Sequence, residues 1–144
     1  MGGGRLDRGN LGSLLAKASQ RWNELLHERF VRAGFPEVRP AYGSVLVPLF
    51  EEDGLRMGEL ARRARLSKQT MTTLVRFCER EGLVERGRDA ADRRAFRVSL
   101  TKRGHAFAPV AARAVRELDV LTASGSNRAE LACLAQSLKG VMEL

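Results

Sequence analysis

Lys68-Gln69-Thr70-Met71-Thr72-Thr73-Leu74-Val75-Arg76-Phe77-Cys78-Glu79-Arg80-Glu81 reads as a helix with two unlike faces. Met71, Leu74, Val75 and Cys78 recur at spacings of three, four and seven, which gathers them on one buried stripe. Lys68, Gln69, Thr72, Thr73 and Arg76 point the other way. Ser67 supplies a capping hydroxyl before the helix, and Gly82 suits a left-handed stop after it. Upstream, Met57 to Ala64 forms a second short helix with Leu60 and Ala61 inward, joined through Leu66-Ser67. Two short helices across a tight turn let the second lie in a DNA major groove, which is about 12 Å wide and admits one helix. Ser67, Lys68, Gln69, Thr70, Thr72, Thr73 and Arg76 are then the candidate DNA contacts. Gln suits adenine, Arg and Lys suit guanine, and Thr offers a hydroxyl or a methyl group. The plainer alternative for these residues is a solvated helix face.

Downstream, Leu83 to Arg88 and Phe96 to Leu100 read as two strands, the second alternating Phe96, Val98 and Leu100 against Arg97 and Ser99. The polar loop between them, Asp89 to Ala95, carries Arg93 and Arg94 at its tip. Charge singles out the same region. From Arg56 to Arg103 there are fourteen Lys or Arg against six Asp or Glu, a surplus of eight that equals the whole formal net charge of +8. The rest of the chain holds eleven of each sign. Such a concentration is the footprint expected for phosphate.

The flanks are helical. Leu11, Leu14, Leu15, Ala18, Trp22, Leu25 and Leu26 make one face of a long first helix ending near Gly34 to Pro36. A second should start at Pro40 and stop at Asp53-Gly54, bent or shortened by Pro48. Thr101 opens a long fifth helix with Phe107, Val110, Ala111, Ala114, Leu118 and Leu121 on one side and a kink expected at Pro109. A break at Ser124 to Asn127 leads to a sixth with Leu131, Leu134, Ala135, Leu138 and Val141. Helices one, five and six present more apolar stripe than one small lobe can cover, which predicts a homodimer.

At 144 residues, 44% apolar and 29% charged, the chain has the composition of a folded domain. No run approaches eighteen apolar residues, and residues 1–10 are Gly-rich and polar without an apolar leader, so the expectation is a cytoplasmic protein with no membrane partner. Cys78 and Cys133 are too isolated for a disulfide framework, and His27 and His105 lack a second ligand at metal spacing. There is no Gly-rich phosphate loop and no serine in an activating context. No enzyme activity, catalytic residue, cofactor or metal is therefore expected.

Leu83-Val84-Glu85-Arg86, Asp89-Ala90-Ala91-Asp92-Arg93-Arg94 and Val98-Ser99-Leu100-Thr101-Lys102-Arg103-Gly104 together resemble the wing signature of the MarR family of winged helix-turn-helix transcriptional regulators. The order of elements from about Leu11 follows the same family. Phe77 and Arg65 depart from it, standing where a polar residue and a small residue are frequent. The resemblance implies a mainly α protein with a small β-wing, six helices and an intertwined dimer. It divides the chain into a flexible N-terminus at 1–10, dimerisation and effector helices at 11–54, a DNA-binding lobe at 55–104 and C-terminal dimerisation helices at 105–144. It implies a sequence-specific regulator, a repressor, that binds a pseudo-palindromic double-stranded operator as a homodimer and is released by a small-molecule effector. Asp92 would orient Arg94, Arg94 would enter the minor groove, and Arg93 would contact phosphate or share that role. Trp22, His27, Tyr42 and Phe107 would line the effector pocket, though core or dimer seam is the alternative place for each. Two further readings stand beside this one. A DNA-architectural protein with little sequence preference would carry the same basic segment, and a thiol-based redox sensor would use Cys78 or Cys133.

Overall fold

The computed structural model describes residues 4, 7 and 9–144, so most of the N-terminus expected to be flexible at 1–10 lies outside the described residues. Helix α1 spans Leu11–Arg32, its first turn capped by the Asn10 side chain, which accepts from the Ser13 N–H. A 3-10 turn at Pro40–Tyr42 leads into α2, Gly43–Glu51, which contains Pro48 and is only nine residues long. Then come β1 (Leu55–Arg56), α3 (Met57–Ala64), α4 (Lys68–Arg80), β2 (Val84–Arg88), β3 (Phe96–Leu100), α5 (Lys102–Ser124) and α6 (Arg128–Met142). Helix α5 runs unbroken through Pro109.

The turn between α3 and α4 is built locally. Arg65 sits in the left-handed region at φ 55°, a conformation costing a non-glycine residue about 1 kcal/mol. It closes α3 as a glycine would: its N–H donates to the Arg62 carbonyl, and the Leu66 N–H donates to that of Ala61. Ser67 then caps α4 by accepting from the Thr70 N–H at 3.1 Å. At the far end Gly82, at φ 75°, lets the Leu83 N–H reach the Cys78 carbonyl, the Schellman closure its position predicts. Between these stops Met71, Val75 and Cys78 are wholly buried and Leu74 partly so.

The sheet has three strands, ordered β1-β3-β2 and antiparallel, where the sequence predicts two. Leu55 pairs with Val98 and Arg56 with Arg97. Two residues are too few to show a period of two, which is why β1 escapes a sequence reading. Phe96 also departs from expectation. Val98 and Leu100 are buried, but Phe96 is 46% exposed because it pairs with Arg88 at the loop end of the hairpin, beyond the lobe's core. Its ring lies under the Arg88 guanidinium at 5.7 Å.

One core runs from Phe30 to Ala114 and takes in α2, whose Val45, Leu46 and Leu49 join the stripe of α4. Helix α2 packs on both α3 and α4, so this core is continuous across position 54. Phe30, Phe35 and Phe50 surround Phe107, with ring centroids 4.8, 5.3 and 6.3 Å away. Beyond Leu118 the chain leaves the lobe, and meets it again where Arg65 donates to the Met142 carbonyl and pairs with Glu143 at the end of α6. Leu121, expected on the buried side of α5, is exposed, and α6 buries none of its residues.

Gly104 is the tightest joint. It lies in the first turn of α5, where an added Cβ would stand 2.2 Å from the Leu83 carbonyl oxygen and 3.0 Å from Leu100 Cδ2. The Thr101 N–H donates to that same carbonyl, so the backbone there cannot move aside freely. Gly104→Ala should therefore cost about 3 kcal/mol of stability. Urea unfolding would check this, and an unchanged midpoint would contradict the close approach.

Candidate nucleic-acid interface

The fourteen basic residues of the central segment divide into two groups. Arg56 and Arg97 pair with Asp89, Arg62 with Glu59, Arg63 with Glu52 and Glu59, Arg65 with Glu143, Arg86 with Glu79 and Arg103 with Glu37. Among the described residues, seven have no carboxylate within salt-bridge distance: Lys68, Arg76, Arg80, Arg88, Arg93, Arg94 and Lys102. Three of these are on α4, three on the wing and one at the start of α5. Six of these seven unneutralised charges thus lie on the two elements that the sequence reading assigns to DNA.

On α4, Lys68, Gln69, Thr70, Thr73 and Arg76 are exposed, and Thr72 is half-buried. Two hydroxyls are turned back onto the helix: Thr72 Oγ1 donates to the Lys68 carbonyl at 2.8 Å, and Thr73 Oγ1 to that of Gln69 at 3.1 Å. Their methyl groups and lone pairs are what remain for a partner. Ser67 and Thr70 are occupied with each other and with the cap, Ser67 Oγ donating to Thr70 Oγ1 at 2.9 Å. Lys68, Gln69 and Arg76 are the freely presented polar ends. Phe77, which departs from the family pattern, is 36% exposed and lies under the Arg80 guanidinium at 5.0 Å.

In the wing, Asp92 acts on the backbone. Its Oδ1 accepts from the Arg94 N–H at 3.1 Å, an Asx turn, and among the described residues no ion pair joins it to the Arg94 guanidinium. Asp92 therefore shapes the loop and leaves the Arg94 side chain free. Arg88 reinforces the tip by donating to the Arg93 carbonyl at 3.0 Å.

The residue that sequence reasoning missed is Asp89, 3% exposed. Its Oδ1 accepts from the Ala91 N–H at 2.8 Å, and its Oδ2 from Arg56 Nε at 2.7 Å and Arg97 Nε at 3.0 Å. The Ala91 N–H, with the guanidinium groups of Arg56 and Arg97, outweighs burial and holds the Asp89 carboxyl down at about 2. Its two arginines stand 33 and 8 positions away, so only the sheet register brings the group together.

The four residues expected to line an effector pocket do not share one cavity. Tyr42 and Phe107 are buried in the lobe's core, 6% and 3% exposed. Trp22 is half-buried on α1. His27 lines an open groove with Asn23, Glu24, Arg39 and Pro40, and its Nδ1 lies 3.1 Å from the Val38 carbonyl. Of the two thiols, Cys78 is wholly buried, and burial pushes its pKa up to about 12, which keeps it protonated and unreactive. Cys133 is exposed on α6. No helix among the described residues is long and apolar enough to cross a membrane.

Residues 44–95, from α2 to the wing tip, match the MarR family model. The match takes in 52 of the 144 residues, so it is this central segment that is similar to the MarR family. The transcriptional repressor Rv2887 of Mycobacterium tuberculosis is 38% identical over 71 residues, 49% of this chain and 51% of that one. Across the curated relatives it matches, the chain spans 31% to 51% of their length. Among solved structures, BpsR of Bordetella bronchiseptica, described with the regulation of its DNA binding by 6-hydroxynicotinic acid, superposes with a TM-score of 0.80 at 20% identity, covering 99% of both chains. FabT of Streptococcus pneumoniae in complex with DNA gives 0.76 at 18% identity, covering 95% of this chain and 96% of that one. At such identities the likeness speaks to the fold, which is the six-helix winged helix-turn-helix that the MarR signature implies.

The Asp89 network carries a pH prediction. A carboxylate lowered in the folded state contributes stability above its unfolded pKa of about 4 and loses that contribution as pH falls through the folded value near 2. A carbon-detected NMR titration should find Asp89 still ionised at pH 3. A midpoint near 4 would contradict the network.

Proposed function

We propose that this protein is a MarR-family, sequence-specific transcriptional regulator, a repressor, that binds a pseudo-palindromic DNA operator as a homodimer. The observation that carries the reading is that six of the seven uncompensated basic residues of the central segment stand on α4 and on the wing. With its inner stripe buried, α4 can enter a major groove only by its outer face, led by Lys68, Gln69 and Arg76. The wing loop then brings Arg93 and Arg94 beside the flanking minor groove, where a guanidinium meets a narrow, electronegative channel. The FabT complex with DNA supports the same use of the fold.

The dimer follows from apolar surface. Leu11 and Leu14 on α1, Val115, Val120 and Leu121 on α5, and Leu134, Val141 and Met142 on α6 are all exposed in the single chain. A second copy that interleaves these helices would cover them. Occupation of promoter DNA by such a dimer blocks transcription. Release by a small molecule is part of the proposal and is supported by the control of BpsR through 6-hydroxynicotinic acid. A ligand releases DNA only through different affinity for the two spacings of the lobes. Of the four residues expected at an effector site, Trp22 and His27 are the two within reach of solvent in the single chain.

The test is binding of the purified protein to duplex DNA selected from a random library, against scrambled DNA of equal length, at two salt concentrations. A preference of about a thousandfold or more is the expected result. Equal and steeply salt-dependent binding to both would instead favour an architectural protein, since phosphate contacts carry almost no preference. Arg94→Ala should weaken binding to the selected site by about 1–3 kcal/mol while the dimer stays folded. Gln69→Ala and Arg76→Ala should change the order of preference among site variants. A uniform loss over all sequences would demote both to backbone contacts.

A further inference from the structure

The wing contains a carboxylate that phosphate recognition alone would not call for. Arg56 on β1 and Arg97 on β3 are direct cross-strand partners, and two like charges so placed repel. Asp89 Oδ2 stands between them, accepting from both, with Arg56 Nη2 also within 2.6 Å. Arg97 is fixed further by donating from Nη1 to the Gly54 carbonyl at 2.7 Å. The other oxygen of Asp89 holds the Ala91 N–H, and its own N–H donates to the Ala95 carbonyl, closing the loop that carries Arg93 and Arg94. Asp89 is the one buried charged residue among those described.

We infer that Asp89 is the positioning residue of the wing: it holds Arg56 and Arg97 back from phosphate and fixes the loop that presents Arg93 and Arg94, so that its charge trades non-specific affinity for operator preference. The inference rests on the DNA-binding reading above. Loss of the charge frees two guanidinium groups to release counterions from any duplex, which strengthens binding without regard to sequence. It also loosens the loop, so Arg94 must be ordered on binding and its advantage at the correct site falls. A carboxylate with a merely structural role would, on replacement, lower the folded fraction and weaken both kinds of binding alike.

Asp89→Asn keeps the size of the side chain and an oxygen for the Ala91 N–H. Its affinities for library-selected and scrambled DNA would be measured at two salt concentrations, together with amide exchange of the free protein. Affinity for scrambled DNA should hold or rise several-fold with a steeper salt dependence, and preference for the selected site should fall at least tenfold. The Ala91, Arg94 and Ala95 amides should exchange at least tenfold faster while those of α4 are unaltered. Arg94→Ala added to Asp89→Asn should cost less than twofold. The milder Arg97→Gln, which leaves Asp89 paired with Arg56, should leave the salt slope as it is, whereas a phosphate-bound Arg97 would reduce it by about 0.9. Equal loss on both DNAs, an unaltered preference, or a reduced slope in Arg97→Gln overturns the inference. A wild-type selection that enriches no sequence sinks the DNA reading and this inference with it, and that failure is recognisable because Asp89→Asn would still speed exchange in the wing.

Discussion

Burial of the inner stripe of α4 is the constraint on which the interface depends. Met71, Val75 and Cys78 have no exposed surface, and burial of Met71 and of Val75 is worth roughly 1.5–3 kcal/mol each. A helix so anchored cannot rotate about its axis without exposing that stripe, so Lys68, Gln69 and Arg76 are committed to the outside. The stops at either end, Ser67 and Gly82, fix its length, and Gly82 delivers the chain directly into the sheet. The Leu83 carbonyl then receives the Thr101 N–H and presses on Gly104, tying the root of the wing and the root of α5 to the same point. Helix α4, the wing and α5 therefore belong to one mechanical unit.

That unit sorts its own charge. The sequence shows a surplus of eight positive charges over one third of the chain, which by itself says only that the segment is basic. In the fold, the carboxylates of Glu37, Glu52, Glu59, Glu79, Asp89 and Glu143 draw off Arg56, Arg62, Arg63, Arg65, Arg86, Arg97 and Arg103. The cations left over stand on α4, the wing and the start of α5. An arginine exposed in composition is thus not equivalent to one available to phosphate.

Much of this was legible in the chain. The stripe of α4, its cap at Ser67, its stop at Gly82 and the inward Leu60 and Ala61 all follow from periodicity and capping chemistry, which act within a few residues. What was not legible depends on distance in sequence or on where the core ends. Strand β1 is two residues long and exists because β3 offers it an edge. Asp89 looks like a loop carboxylate until the register sets Arg56 against Arg97. Phe96 keeps the alternation of its strand yet lies past the core, and Leu121 keeps the period of α5 yet lies past the lobe. Tyr42 and Phe107 show the converse, aromatic residues assigned to a pocket and found in the packing of the core. The Asp92 and Arg94 pair was readable as a motif, but the atom on which the carboxylate acts, a backbone N–H, was not.

In the proposed complex helix and wing meet DNA together, one in the major groove and the other in the adjacent minor groove. Hydroxyl-radical footprinting on a library-selected duplex tests it most directly, because the radical attacks sugars lining the minor groove. Such a complex leaves two protected minor-groove patches on the outer flanks of two major-groove segments whose centres lie about one helical turn apart. Protection spread evenly along the duplex, or confined to the major-groove segments with open flanks, would contradict it.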